Sequence, residues 1–202
     1  MKERQPAEDR RAQILQAALD LAFEVGPDQL TTGMIAGRLG LTQPAIYKHF
    51  NSKDDIWRGV ADRLCELIAA NIATSKGMSL APEHLLRRLV LGHLQLVRDH
   101  PALPQIMVMR DPSEAQGASM SQIRASMAGF KRILIDTLRA AQSSGRFRSD
   151  IRAQDGATLI VGVIQGLVLQ LLLTRDPEIL LGEGERLLDL QLSLLAENGD
   201  IN

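Results

Sequence analysis

The chain has 202 residues, of which 45% are hydrophobic and 3% aromatic, and its formal net charge is −1. This length suffices for a well-packed core and a small second module, and the shortage of aromatic residues argues against a sheet-rich protein. The charged N-terminal stretch lacks the apolar run of a secretory signal peptide, so we expect a cytoplasmic protein, and a net charge near zero neither requires nor excludes a nucleic-acid partner.

Two helices are predicted before residue 40. Apolar residues recur at three- and four-residue spacing from about residue 8 to 25, which predicts an amphipathic helix that a Gly-Pro pair ends. Thr31 or Thr32 supplies a hydroxyl that can cap a second helix, which we expect to reach Leu39. Gly40 suits the left-handed turn that closes this helix.

A third short helix, residues 43–50, follows directly after the turn at residues 40–42, and we call it the reader helix. Pro44 falls in its first turn, where no intrahelical donor is lost, and therefore marks the start of a helix. Ser52 is a second candidate N-cap, and it opens a long helix that continues to about Ile72.

The remaining two-thirds of the chain contains longer predicted helices. Residues 74–82 are mostly small and predict a linker. Five further helices, separated by Pro or Gly, are predicted at about 82–99, 102–110, 117–143, 153–174 and 184–197. The sequence therefore predicts an all-α fold of about nine helices. We expect two domains, one of three helices at residues 1–53 and a helical bundle at residues 54–202.

Two short helices joined by a turn containing Gly, the second polar on its free face, are typical of a helix-turn-helix. In the major groove Gln43 can pair with adenine through two hydrogen bonds, and Ala45 can touch a thymine methyl. Polar residues around the reader helix are the expected phosphate contacts: Thr32, Thr42, Tyr47, Lys48, His49 and Lys53. A basic arm along the DNA backbone or minor groove is expected from Arg4, Arg10 and Arg11.

Residues 31–57, TTGMIAGRLGLTQPAIYKHFNSKDDIW, resemble the signature of the TetR (tetracycline-repressor-like) family of transcriptional regulators. The resemblance covers about residues 8–58. It implies that residues 1–53 form a three-helix helix-turn-helix DNA-binding domain, that residues 54–202 form a ligand-binding and dimerisation domain, and that the protein is a homodimer. It matches phosphate-contact positions to Thr32, Thr42, Tyr47 and Lys53, and base-reading positions to Gln43, Pro44 and Ala45. Pro44 departs from the commoner Gly or Ala and lacks a backbone donor.

These observations predict a sequence-specific regulator that binds a double-stranded DNA operator, and a repressor that a small-molecule inducer of unknown identity releases. We expect no enzymatic activity and no cofactor, because a nucleophile elbow, a Gly-rich phosphate loop and a paired-carboxylate motif are all missing from the sequence. Two alternatives stay open. One is an enzyme using His or Ser chemistry in the C-terminal bundle, and the other is a ligand-blind architectural protein whose bundle serves only dimerisation.

Residues 157–174 form an uncharged run at the lower length limit of a membrane span. Gln165 and Gln170 would be costly in lipid, and no second segment could pair with this one. We therefore expect no membrane partner, and we expect the helix at 153–174 to be shared between the bundle core and the dimer interface. The Leu-rich helix at 184–197 is its expected companion in a four-helix interface between two subunits.

The inducer pocket is predicted from general pocket composition, with plain core packing as the alternative for each residue. The candidates are Trp57, His93, Leu96, Met107, Met127, Phe130 and Gln165. A metal site formed by His84, His93 and His100 is a further alternative. The last two lie about 10 Å apart along one helix, which is too far for one ion, so we expect no metal.

Overall fold

The computed structural model of the chain describes residues 7–102, 104 and 114–197. Within these ranges it contains eight helices: α1 (Ala7–Val25), α2 (Thr32–Arg38), α3 (Gln43–Tyr47), α4 (Lys53–Gly77), α5 (Pro82–Asp99), α6 (Glu114–Ser143), α7 (Ala153–Thr174) and α8 (Ile179–Leu195). Within the same ranges, Phe147 and Ala196 form an isolated antiparallel β-bridge. The all-α class is confirmed, while most of the helix predicted at 102–110 lies outside the described residues.

The described residues form two compact units. Unit 1 contains those up to Cys65 and those in the range 100–123, and unit 2 contains residues 66–99 and those from Arg124 onwards. The division falls within α4 and within α6, because each of these helices contributes to both units. The predicted domain boundary at residue 53 stays a prediction, since compactness does not say which residues bind DNA.

The core of unit 1 is formed by one stripe of α1 and by apolar residues of the following three helices. Ile14 and Ala18 of α1, Ile35 of α2 and Ile46 of α3 are all essentially inaccessible to solvent. Val25 continues the apolar spacing of α1 but is 40% exposed, because it is the last residue of the helix and the chain turns away at that point.

Three local signals predicted the helix ends of unit 1 correctly. The hydroxyl of Thr31 accepts a hydrogen bond from the backbone N–H of Met34 at 3.2 Å, which caps α2. Gly40 has a φ of +63°, the left-handed conformation that glycine adopts without strain. The hydroxyl of Ser52 accepts from the backbone N–H of Asp55 at 3.1 Å and so caps α4.

In unit 2, α8 packs against both α5 and α7. Gly184 makes this close approach possible, because a Cβ at this position would lie 2.5 Å from Cδ1 of Leu94. At the edge of the same contact the guanidinium of Arg87 donates to Asp189 at 2.8 Å and also to Glu185. These charged pairs are partly exposed, so we expect most of the stability of unit 2 to come from its apolar contacts.

Two boundaries predicted for the longer helices are wrong. The helix α4 continues to Gly77, because the small residues of the expected linker are compatible with a helix; the chain leaves it near Ser79, where φ is +50°. The last helix begins at Ile179, five residues before the predicted start at 184. Its beginning is set by Arg175, whose left-handed conformation ends α7, and by the carboxylate of Asp176, which accepts from the N–H of Glu178 at 3.0 Å.

Candidate nucleic-acid interface

Helices α2 and α3 form a helix-turn-helix within unit 1. The turn is held by the backbone N–H of Leu41, which donates to the carbonyl of Ala36 at 2.8 Å. Residues 43–50, the predicted reader helix, are called the reader segment from this point. Ile46 and Phe50 of this segment are buried and hold it on the unit 1 core. The reader helix is shorter than predicted, since α3 ends at Tyr47 and the next residues form a turn.

The outer surface of this segment carries most of the predicted contact residues. Thr42, Gln43, Pro44, Tyr47 and Lys48 are exposed. Ala45, His49 and Lys53 are half-buried. The structure therefore brings eight of the nine predicted side chains to the accessible side of one short segment, which leaves Thr32 as the exception.

Thr32 is only 6% exposed, and its hydroxyl is occupied within the protein. The amide nitrogen Nε2 of Gln43 donates to Oγ1 of Thr32 at 2.7 Å. The hydroxyl of Tyr47 lies 3.3 Å from the same Oγ1. One buried hydroxyl thus touches a residue predicted to read bases and a residue predicted to hold phosphate.

Lys53 is the first residue of α4, beside the capping residue Ser52. The backbone N–H of Asn51 donates to the carboxylate of Asp55 at 2.9 Å, so the chain is fixed on both sides of this lysine. A cation at a helix start, where the helix dipole is positive, is suited to a phosphate group.

Arg11 is a residue whose role the sequence did not predict. Its guanidinium lies over the ring of Phe50, 4.1 Å from the centroid, and it donates to the backbone carbonyl of His49. We expected Arg11 in a basic arm with Arg4 and Arg10, but it instead ties α1 to the end of the reader segment. Arg4 lies outside the described residues. No local pattern signals this contact, because its partners are 38 or more positions away.

Comparison with known proteins assigns the segment to a family. The family model for bacterial regulatory proteins of the tetR family matches residues 14–60. The chain is 26% identical over 201 residues to the HTH-type transcriptional regulator TtgR of Pseudomonas putida, which covers 95% of this chain and 94% of that protein. This chain therefore carries, at residues 14–60, a segment of the tetR-family type. It is also 49% identical over 57 residues to the class A tetracycline repressor of transposon 1721 from Escherichia coli, a match that spans 28% of this chain and 24% of the repressor.

The fold agrees with this assignment. The ketosteroid transcriptional regulator KstR2 of Mycobacterium tuberculosis superposes with a TM-score of 0.75 at 19% identity, over 93% of this chain and 95% of that one. A regulator from Saccharomonospora viridis in complex with choline gives a TM-score of 0.74 at 23% identity, over 90% and 94%. Together these likenesses indicate a DNA-binding transcriptional regulator of the TetR type.

The residues predicted for the ligand pocket are distributed over both units. His93 and Phe130 meet in unit 2, where their rings stack with centroids 4.7 Å apart, and Leu96 is buried in the same unit. Trp57 is buried in unit 1, and Gln165 is exposed. Met127 is half-buried, and Met107 lies outside the described residues.

His93 is the most unusual buried polar group of unit 2. It is 4% exposed, and its Nδ1 has no hydrogen-bond partner among the described residues. Burial lowers the pKa of His93 from 6.5 to about 4, so the ring is neutral at physiological pH. Across the described residues no three His, Cys, Asp or Glu side chains form a group that could hold a metal ion.

Helices α7 and α8 each carry exposed leucines. They are Leu159, Leu169 and Leu173 on α7 and Leu190 and Leu194 on α8. Gly162, Gln165 and Gly166 lie among the exposed positions of α7. Of the helices in the described ranges, α7 alone is long and apolar enough to cross a membrane by length and composition. A helix of a soluble bundle passes the same test, and the buried face of α7 packs against α8.

Proposed function

We propose that this TetR-family regulator is a repressor whose dimer binds a two-part operator and is released by a small-molecule inducer. The observation that carries the proposal is the exposed polar face of α3, held in place by a capped helix-turn-helix. The dimer would insert two reader helices into successive major grooves about 34 to 36 Å apart. The protein would act in the cytoplasm by binding alone, without turnover of a substrate.

The solvent-accessible side chains of this surface divide by chemistry into two groups. Gln43 and Ala45 lie at the start of the reader helix, where side chains reach base edges, and the ring of Pro44 between them adds only apolar contact. The residues around the start of the reader helix carry hydroxyl, imidazole or ammonium groups, which can donate hydrogen bonds to phosphate oxygens. These residues are Thr42, Tyr47, Lys48, His49 and Lys53. We assign the first group to sequence recognition and the second to positioning on the backbone.

We assign the dimer interface to the exposed leucines of α7 and α8. Five such side chains on two neighbouring helices are unusual for a monomer surface, because apolar patches of this kind mark interaction sites. Gly162 and Gly166 are exposed on α7 and would let a partner helix approach closely. A membrane span would instead need lipid around Gln165 and Gln170, which lie on the exposed side of the same helix.

We place the inducer site in unit 2, near His93 and Phe130. A neutral imidazole with an unpaired nitrogen, stacked on an aromatic ring, suits an apolar ligand that carries one hydrogen-bonding group. Stearoyl-CoA is bound by a fold relative, FadR of Bacillus subtilis, and choline by the Saccharomonospora viridis regulator. Since these ligands differ so strongly, the fold alone does not name the inducer.

The test combines DNA selection with ligand screening. Fragments of the source genome that the purified dimer retains should share a two-part sequence, and a compound that raises the unfolding midpoint should also weaken binding to that sequence. A protein that retains no specific fragment would contradict the operator assignment. A panel in which stabilising compounds never alter DNA binding would favour the ligand-blind architectural alternative.

A further inference from the structure

The hydrogen bond between Gln43 and Thr32 has a consequence for base recognition. Gln43 is exposed at the start of the reader helix, but its Nε2 is already bonded to the buried Oγ1 of Thr32 at 2.7 Å. Thr32 itself is fixed, since it is the first residue of α2, directly after the capping residue Thr31. The amide of Gln43 is therefore oriented before any DNA arrives.

The number of remaining donors decides which base this amide can meet. An amide nitrogen has two N–H groups, and the amide oxygen is an acceptor. Because one N–H of Gln43 is used by Thr32, the side chain presents one donor and one acceptor to the major groove. A glutamine without such a partner could present both donors.

Purines differ in the pattern that they require. Adenine offers one donor, its N6 amino group, and one acceptor, N7, whereas guanine offers two acceptors, N7 and O6. A donor and an acceptor together match adenine. Two hydrogen bonds to guanine would need both N–H groups of the amide, and one of them is occupied.

We infer that Thr32 is a specificity-determining residue, which makes Gln43 select adenine over guanine by occupying one of its two amide donors. The inference rests on the proposed function and refines it, because it replaces the expected phosphate contact of Thr32 with a positioning role. Thr32 touches no base in this arrangement and acts through Gln43.

Tyr47 extends the same chain of hydrogen bonds. Its hydroxyl lies 3.3 Å from Oγ1 of Thr32. When Thr32 accepts from Gln43, its own hydrogen is available to the oxygen of Tyr47, and the hydrogen of Tyr47 is then available to a phosphate. Each hydroxyl accepts one bond and donates one, so the phosphate contact supports the orientation of the base reader.

The experiment uses the full-length protein and a duplex library that is randomised across the binding site. Selected sequences are compared for the wild type, Q43A, T32S and T32V, and the adenine-to-guanine ratio is measured at the position whose preference Q43A abolishes. The wild type should favour adenine there. T32S keeps the hydroxyl and should retain the wild-type ratio within about twofold, whereas T32V should lower it by about tenfold, the size of one good base contact.

Several outcomes overturn the inference. A wild-type preference for guanine at that position contradicts it, and so does an unchanged ratio in T32V that still binds DNA. If T32V is poorly folded by thermal unfolding, T32A removes the same hydroxyl and gives the decisive ratio. A wild type that enriches no sequence contradicts the proposed function itself, which separates that failure from a normal selection whose ratio ignores Thr32.

Discussion

Polar side chains are used differently in the two units. In the helix-turn-helix of unit 1, the hydroxyl of Thr32 has its partners 11 and 15 residues away, and the side chains beyond it point outward. In unit 2, Arg87 pairs with residues 98 and 102 positions away, and the buried nitrogen of His93 has no partner among the described residues.

In our proposal this difference reflects what each unit binds. On a DNA-binding surface, residues nearby in the sequence fix the orientation of the side chains that contact the DNA. In a ligand site, buried polar groups without a partner in the protein can form hydrogen bonds with the bound ligand. The dimer face, the buried histidine, the helix start and the Arg11 contact each offer a test of this contrast.

The largest effect is expected at the exposed face of α7. Leu169→Glu combined with Leu173→Glu places charges on side chains that are 56% and 77% exposed in the single chain and, in our proposal, buried in the dimer. We expect a monomer in light scattering and a loss of at least about 100-fold in operator affinity, because two linked reader helices bind far more tightly than one. Met78→Glu is the matched control, since Met78 is 53% exposed but lies outside α7 and α8. A double variant that remains dimeric would refute the assigned interface.

The second effect concerns pH and unit 2. Folded protein keeps His93 neutral down to about pH 4, whereas the unfolded chain takes up a proton near pH 6.5. The free energy of unfolding should therefore fall as the pH drops from about 6.5 to 4, and this loss should level off below pH 4. The full contribution is roughly 3 kcal/mol.

Denaturant unfolding at several pH values measures this contribution as the difference in the free energy of unfolding between the wild type and His93→Gln. The variant should lose less stability over this range. His84→Gln alters an exposed histidine and serves as the control. A wild type and a His93→Gln variant with parallel pH profiles would show that the ring is not held neutral by burial.

A smaller effect is expected at the start of α4. Lys53→Ala should weaken binding to every DNA sequence by about tenfold and flatten the salt dependence by about one unit per protomer, because one phosphate contact is lost in each copy. Titrations at several salt concentrations measure both quantities. Lys76→Ala, in the last turn of the same helix, should change neither. A loss confined to one operator sequence would assign Lys53 to base reading instead.

The smallest effect is expected for Arg11→Ala. The substitution removes the cation over Phe50 and the donor to the carbonyl of His49. We expect a loss of about 1 kcal/mol in the free energy of unfolding, as is usual for an exposed cation–π contact with one hydrogen bond. Arg10→Ala, one position earlier, is the matched control. Equal unfolding midpoints for the two variants would mean that the tie between α1 and the reader segment contributes nothing.

The sequence predicted local features well. Thr31 and Gly40 were identified because a cap and a left-handed turn depend on a few neighbouring residues. The all-α class and the family followed from the same short-range signals. The exposure of Tyr47 and Lys48 agrees with the predicted reader surface, although their contacts with DNA stay predictions.

Features that depend on distant residues were not predicted. Gly184 inside α8 is explained only by Leu94 of another helix, and Arg11 only by the end of the reader segment. Gln165 was proposed for the ligand pocket, yet the packing of α7 leaves it exposed. The burial of Thr32 was not predicted, because Thr31 and Thr32 are the same residue type and the sequence does not show which of them caps α2 and which is buried.

The tie from Arg11 matters to anyone who transplants the recognition segment. A chimaera built from residues 31–57 alone would carry the side chains that we assign to base contacts but would lack Arg11, which holds the end of the reader segment. The chimaera should discriminate less strongly between half-site sequences unless the host protein has an arginine at the matching position of its own first helix. The portable recognition module of this protein would therefore begin in α1, some twenty residues before the segment 31–57.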